Sequence, residues 1–563
     1  MRRGLLAASV VVLSLLLTGC VSIPSSGKVQ QGDPAPTDAS SLDLDILVDP
    51  PIVDGTQQQI LEGFLTAALS PQNNYRAAYD FLTPAFAEEW QADTGATIDV
   101  LADRKFETVS DTEQRLTATP AASLRNNGQY EVAASEAPLE LDYRFEQVDG
   151  QWRISSAPSG IVIDVANFAQ VFREYTLYFF DPVFRYLVPD SRWFAGRDSA
   201  QTSVVQALIA GPAEWLDPGV VSAFPEGTEL SPAAVPISGR VAEVSLTGAA
   251  FDDVSAAQRM QLQLDESLIG SVRNVGDVSL ILNGVESDAG EPADPPARDP
   301  RVDPRPVVFD GETLGYLSTS GDGITPIEGL SGQVARAAAT GAAIGPDAET
   351  AAILNDAGVS VVTTGQEEPL LVDPRAGLIT PAVDRAGIVW SVPAAAPSEL
   401  VWFTPDGQAS GRVEVPWSGS SISAIEVSRD GTRMLALLGD GTRTYFVVAA
   451  IERNVDGTPI ELGNAVLRLA EVDGVPLDVA WIDGRSVASL TLVGGDSTRI
   501  VTQDLGGFAT TRDGPVDGRQ LDAGNSFRDV RVLTGSGSLV VQSGVGWQER
   551  ANGIRFVAAQ LPG

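Results

Sequence analysis

Histidine is absent from the 563 residues, cysteine occurs once, at Cys20, and lysine twice, at Lys28 and Lys105. The missing imidazole removes Ser-His-Asp and Cys-His nucleophile activation, and with it the zinc sites that rely on His or on several Cys. A single thiol excludes intrachain disulfides, so the folds must be held by packing alone. Lys28 and Lys105 sit in no Ser-x-x-Lys pattern, which leaves a Ser-Lys dyad without a member. Long apolar runs are scarce too. The run Leu5 to Leu17 is about thirteen residues, short of the roughly 20 needed to span a bilayer, and no later run approaches that length.

Positive charge is the other shortage. With 37 Lys and Arg against 74 Asp and Glu, the formal net charge is -37. Such a surface repels phosphate backbones and anionic headgroups, which argues against nucleic acid as a partner and against a basic membrane-docking patch. Hydrophobic residues at 44 % and charged residues at 20 % fit a globular chain. At roughly 150 residues per domain, the length suggests three or four domains.

What is present begins with Met1-Arg2-Arg3, a short basic segment, followed by the apolar run and then Leu17-Thr18-Gly19-Cys20. This is the layout of a secretory signal. Small residues leading into the only cysteine resemble the bacterial lipobox, which implies cleavage before Cys20, acylation of its thiol, and attachment to the extracytoplasmic face of the cell membrane. The alternative is an uncleaved anchor with an incidental buried Cys. Residues 1–19 are therefore read as signal peptide and 20–50 as lipid anchor and tether, rich in Ser, Pro, Gly, Gln and Asp. A flexible coil of that length reaches roughly 30 Å, beyond a Debye length of about 8 Å. Asp43, Asp45 and Asp49 alternate with apolar residues, but the Gly and terminal Glu of an EF-hand loop are missing.

Residues 51–160 read as a helical-meander domain. Ile60, Leu61, Phe64, Leu65, Ala68 and Leu69 have the i, i+3, i+4 spacing of an amphipathic helix ending near Ser70-Pro71. Tyr75, Ala78, Tyr79 and Leu82 predict a second helix, broken at Pro84. Leu139, Leu141, Tyr143 and Phe145 alternate as a strand, and Asp149-Gly150 turns it into Trp152 and Ile154. Helices followed by such a meander resemble the NTF2-like and cystatin-like cone folds, in which aromatics can line a pocket. At helical spacing, Tyr75, Tyr79, Phe81 and Trp90 are more naturally core.

Residues 161–290 read as a second α+β unit. Strands are predicted at 176–180, 185–189, 240–246 and 278–282. Helices are predicted at 200–210, stopped by Gly211-Pro212, and at 256–272 with Met260, Leu264, Leu268 and Ile269 inward. Residues 291–306 are an acidic Pro-rich linker. From 307 to 563 one phrase recurs every 40 to 50 residues: strand, Asp/Gly turn, strand. That is the blade period of a β-propeller with about six blades; the alternative is a pair of β-sandwiches. The fold class expected is thus multidomain, two α+β domains followed by an all-β propeller.

The segments L-V-P-D-S-R-W-F (187–194), V-V-Q-A-L-I-A-G-P (204–212) and A-F-P-E-G-T (223–228) resemble a GerMN domain. Preceded by a lipobox and a helical-meander domain, they make the chain similar to the actinobacterial LpqB lipoprotein family, with the propeller extending the match over essentially the whole chain. The resemblance implies a non-catalytic accessory protein of a sensor histidine kinase. The kinase implied is MtrB of the MtrA-MtrB two-component system, contacted through its extracytoplasmic domain, with an effect on cell-wall homeostasis and division. A binding module for wall glycan or peptide (peptidoglycan) is the alternative, and a carboxylate-based hydrolase a further one, since acidic residues are plentiful but no pair stands out. Gly494-Gly495 and Gly506-Gly507 lie among strands with no following helix or Lys, so no phosphate-cradling loop is expected. No catalytic, cofactor or metal residue is assigned; Leu17, Thr18, Gly19 and Cys20 are the only site residues, for cleavage and lipidation.

Overall fold

The computed structural model describes residues 48–562, apart from 136, 197, 198, 252 and 545. Leu17, Thr18, Gly19 and Cys20, and with them Asp43 and Asp45 of the tether, lie outside the described residues. No helix among the described residues is long and apolar enough to cross a membrane.

The helix Gln57–Ala67 opens on a capping box in which Thr56 Oγ1 accepts from Gln59 N–H and the Gln59 side chain accepts from Thr56 N–H. These bonds satisfy backbone donors that a helix start leaves open. Its predicted stripe faces inward, with Ile60, Leu61, Phe64 and Leu65 all buried. The second helix is only one turn, Arg76–Tyr79. Asn73, Asn74 and Tyr75 all have positive φ (47°, 57° and 60°), so right-handed helix cannot begin before Arg76. Two four-stranded sheets complete the domain. One is the antiparallel meander ending in Leu139–Val148 and Gln151–Ser156; Asp149 and Gly150, both at positive φ, make the tight hairpin the sequence predicts. In the other, Gly95–Asp99 runs antiparallel to Pro120–Arg125 and parallel to Ile161–Asp164. Tyr75, Phe81 and Trp90 are buried in the core, as their spacing suggests, while Tyr79 is half-buried against it.

Asp164 caps the next helix, Val165–Val171, by accepting from Ala166 and Asn167 N–H, each at 3.1 Å. That helix feeds the strand Phe172–Phe180, which pairs antiparallel with Tyr186–Ala195. Helix Ala200–Ala210 has the predicted bounds, because Gly211 at φ 96° leaves helical space. Helix Val254–Leu268 connects the parallel strands Val241–Thr247 and Asp277–Leu282. Met260, Leu264 and Leu268 are buried, but Ile269 is 39 % exposed. The helix ends at Leu268 and Ile269 is extended, so its side chain leaves the inward face. In the Pro-rich stretch, Ala297–Arg298 pairs parallel with Tyr186–Leu187, and Val302 is held at both backbone polar groups by the Asn525 side chain.

Six four-stranded sheets follow, in the radial arrangement of a propeller. Blades 2 to 6 span residues 341–373, 382–412, 421–472, 475–513 and 518–551. Blade 1 is composite. Val307–Phe309 pairs on one side with Leu314–Leu317 and on the other with Phe556–Ala558, so the last strand of the chain closes the ring. Phe309 and Phe556 pack at 4.9 Å between ring centroids across that seam. The innermost strands neighbour one another in a closed circuit, which a pair of sandwiches would not give.

Candidate functional site

The strand Tyr186–Ala195, which carries the phrase L-V-P-D-S-R-W-F, sits where the three folded regions meet. Asp190 and Arg192, both fully buried, form a two-bond ion pair at 2.7 and 3.1 Å. Asp190 also accepts from Ala213 N–H at 2.8 Å, just after the Gly211-Pro212 stop, and Arg192 donates to the Asn127 carbonyl of the first domain at 2.9 Å. Trp193 N–H donates to Gly128 O, and its indole N–H donates 2.8 Å to Gly506 O of the propeller. Around that indole, Tyr130 and Phe168 pack tilted and Phe508 of the propeller packs edge-on, with ring centroids 5.1 to 6.3 Å away. Gly506-Gly507, which composition alone marks only as an unlikely phosphate loop, is therefore a seat for this tryptophan.

The second region meets the propeller at further points. The turn Asp217–Gly219 lies on blade 4, where Gly219 leaves so little room that a Cβ would come within 2.9 Å of Thr432 O. Arg485 donates to Thr176 Oγ1 at 2.9 Å and Arg385 to Tyr186 Oη at 2.7 Å. Arg429 spans from blade 4 to the carbonyl of Ile482 and to Gly524 and Asn525 in blades 5 and 6.

Two of the molecule's cavities bear on the propeller axis and on this junction. The first, of about 210 Å³, is the propeller channel, lined by the innermost strands of all six blades. Its polar groups include Glu426, Asp478, Arg519 and Asp522. Burial pushes the Glu426 carboxyl up to about 8, helped by the neighbouring Asp478 and Asp522, although Trp481 N–H donates to it at 2.8 Å. Burial likewise pushes Asp478 up to about 7; its two oxygens accept from Val479 and Leu521 N–H. Burial and mutual repulsion thus both favour the protonated, uncharged form of these two carboxyls. The second cavity, about 330 Å³, lies between the first domain and helix Ala200–Ala210, and is walled by Tyr75, Trp193 and Phe194.

No group of three or more metal-ligating side chains is assembled among the described residues. Neither cavity was assigned residues from sequence. Glu426 is a lone acid in the apolar run Ile422 to Val427, a signal that could have marked it; the meeting of Trp193 with Gly506 leaves no local trace.

The chain matches the family models for the lipoprotein LpqB N-terminal domain over residues 50–169, for a sporulation and spore germination (Germane) domain over 176–288, and for the lipoprotein LpqB β-propeller domain over 315–556. It is 35 % identical over 215 residues to lipoprotein LpqB of Nocardia farcinica, covering 37 % of this chain but 34 % of that relative. The corresponding protein of Rhodococcus jostii is 31 % identical over 259 residues, 41 % of its length. That of Streptomyces avermitilis is 27 % identical over 579 aligned positions, covering 92 % of this chain and 89 % of the relative. Among solved structures, TolB from Acinetobacter baumannii aligns over 81 % of this chain and 82 % of its own at 12 % identity and a TM-score of 0.33, too low to bear on function. Two LpqB models and the Germane model account in order for the three folded regions, and a full-length relative carries the same name: the chain belongs to the LpqB lipoprotein family.

Proposed function

We propose that this protein is a non-catalytic accessory lipoprotein, held by acylated Cys20 at the extracytoplasmic face of the cell membrane and acting on the extracytoplasmic domain of a sensor histidine kinase. The kinase of this reading is MtrB of the MtrA-MtrB two-component system, and the output is cell-wall homeostasis and division. The observation that carries it is family membership in a chain whose three regions are fastened to one another around Trp193. A rigid body presents a fixed surface to a partner at low ordering cost, and a membrane anchor confines it to the layer where the kinase lies. Even a weak contact is then populated through effective concentration. The protein can bias signalling only by its difference in affinity for two kinase states.

The test is co-purification from crosslinked membranes with the full-length chain as bait. Recovery of the kinase, lost when Cys20→Ala removes the anchor, supports the reading. Recovery of no sensor kinase sinks it.

A further inference from the structure

Arginines in this chain are neutralised in one recurring way. Arg104, Arg192 and Arg305 each turn the Nε/Nη2 edge of the guanidinium to both oxygens of an aspartate, with bonds of 2.7 to 3.1 Å. The two parallel N–H groups of that edge match the spacing of a carboxylate.

Arg512 departs from this pattern. It lies on the outermost strand of blade 5, Ala509–Asp513, in register with Ile500. Ile500 is completely buried in a cluster with Val532 and Val540 of blade 6, and residues opposite one another in a ladder share a face, so Arg512 points into the seam between the two blades. Across that seam Nη1 donates to the Gln542 side-chain oxygen. Trp547, in register with Gln542, donates its indole N–H to Asp513 O at 3.3 Å. Nε and Nη2 of Arg512 are buried and have no hydrogen-bond partner. Its charge is not balanced either. Neighbouring aspartates raise the pKa of Arg115 and Arg305, whereas burial alone acts on Arg512 and lowers it.

A charged fork buried without acceptors is costly, and water supplies acceptors but no charge. The neighbours Gln542, Trp547 and Ile500 are uncharged, so the one guanidinium balances a single negative charge, and the net charge of -37 opposes the approach of a polyanion. Arg512 and Gln542 are both partly exposed at the outer rim of the propeller, so displacing the Gln542 side chain opens the fork to solvent.

We propose that the seam between blades 5 and 6 binds a monocarboxylate, whose two oxygens accept from Nε and Nη2 of Arg512. The site stands apart from the kinase contact. A free small acid and the terminal carboxylate of a peptide offer the same chemistry.

The experiment is a set of thermal melts of the full-length chain in rising sodium acetate and, separately, N-acetylglycine, with ionic strength held constant by sodium chloride. The wild-type midpoint should climb above its value in chloride with the logarithm of carboxylate concentration. A steeper gain with N-acetylglycine identifies a peptide terminus as the source, and a steeper gain with acetate identifies a free acid. Arg512→Lys keeps the charge without the fork and should need about tenfold more carboxylate for the same gain. Arg512→Met should lose the response altogether while melting no lower than wild type in chloride, because it removes an unbalanced buried charge. Gln542→Glu brings an internal carboxylate to the guanidinium, so its midpoint should rise in chloride and no longer respond to acetate. Acetate acting no differently from chloride on the wild type, an undiminished response in Arg512→Met, or a midpoint of Arg512→Met well below wild type in chloride would each overturn the proposal.

Discussion

Glu426 shows how a single residue can be shaped against its own ionisation. Its carboxyl is raised from 4.5 to about 8, chiefly by burial, and Asp478 is raised from 3.8 to about 7 by the same cause. A carboxyl whose folded value lies above its unfolded value favours the folded state while protonated. Its contribution is fully present below about 4.5 and is lost as the pH rises toward 8. The complete shift corresponds to roughly 5 kcal/mol at about 1.36 kcal/mol per unit. Because Asp478 and Asp522 share in the shift, the effect expected of Glu426 alone is smaller, on the order of a few kcal/mol. Glu426→Gln keeps an acceptor for Trp481 N–H and removes the titration. Compared by thermal melts, the variant should match wild type near pH 4.5 and be the more stable protein at pH 9. The Asp190–Arg192 pair is tested by truncation instead. Both groups are buried and hydrogen-bonded, so Arg192→Ala leaves an uncompensated carboxylate, and denaturant titration should show a loss of about 3–5 kcal/mol.

At the scale of elements, the closing strand Phe556–Ala558 carries the most consequence for its length. Phe556 and Ala558 are completely buried, and their only strand neighbour in the blade is Val307–Phe309, nearly 250 residues earlier. Phe556→Ala should cost about 3–5 kcal/mol, the usual range for a buried aromatic, and make the propeller seam a site of early proteolysis. Elements with their own local signals were legible in the sequence. Helix Ala200–Ala210 could be placed because four apolar residues mark its face and Gly211-Pro212 marks its end. The blade repeat could be read because each hairpin needs its own Asp/Gly turn. Where local and tertiary preferences diverge, the reading fails in instructive ways. Tyr75 to Leu82 has helical spacing, yet three left-handed residues, Asn73 to Tyr75, leave one turn of helix, with Tyr75 itself buried in the core of the first domain. Ile269 fits the stripe of its helix but follows its last residue. The Pro-rich stretch at 291–306 has a linker's composition, but Ala297–Arg298 finds a strand edge that only the folded second domain supplies.

For the whole molecule, the central fact is that the junctions are built from the same residues as the cores. The cluster containing Leu177, Val204 and Leu264 continues into Leu437, Phe446 and Trp481 of the propeller, so the second region and blades 4 and 5 share apolar packing. Trp193 belongs likewise to the cluster of the first domain, against which Phe508 of the propeller packs. None of this could be seen in the sequence, since Trp193 and Gly506 are 313 residues apart and neither neighbourhood announces the other. Domains joined by a small polar interface would unfold separately. Domains joined through shared apolar packing should unfold together, as one calorimetric transition whose van't Hoff and calorimetric enthalpies agree. Trp193→Ala is the variant that separates the cases. It removes the indole bond to Gly506 and the ring contacts with Tyr130, Phe168 and Phe508, while the propeller seam and the stripe of helix Val254–Leu268 stay intact. The single transition should then resolve into at least two, the first domain melting ahead of the propeller. Two transitions already in the wild type would mean that the regions are merely adjacent, and the fixed surface on which the proposed kinase contact depends would have to be abandoned.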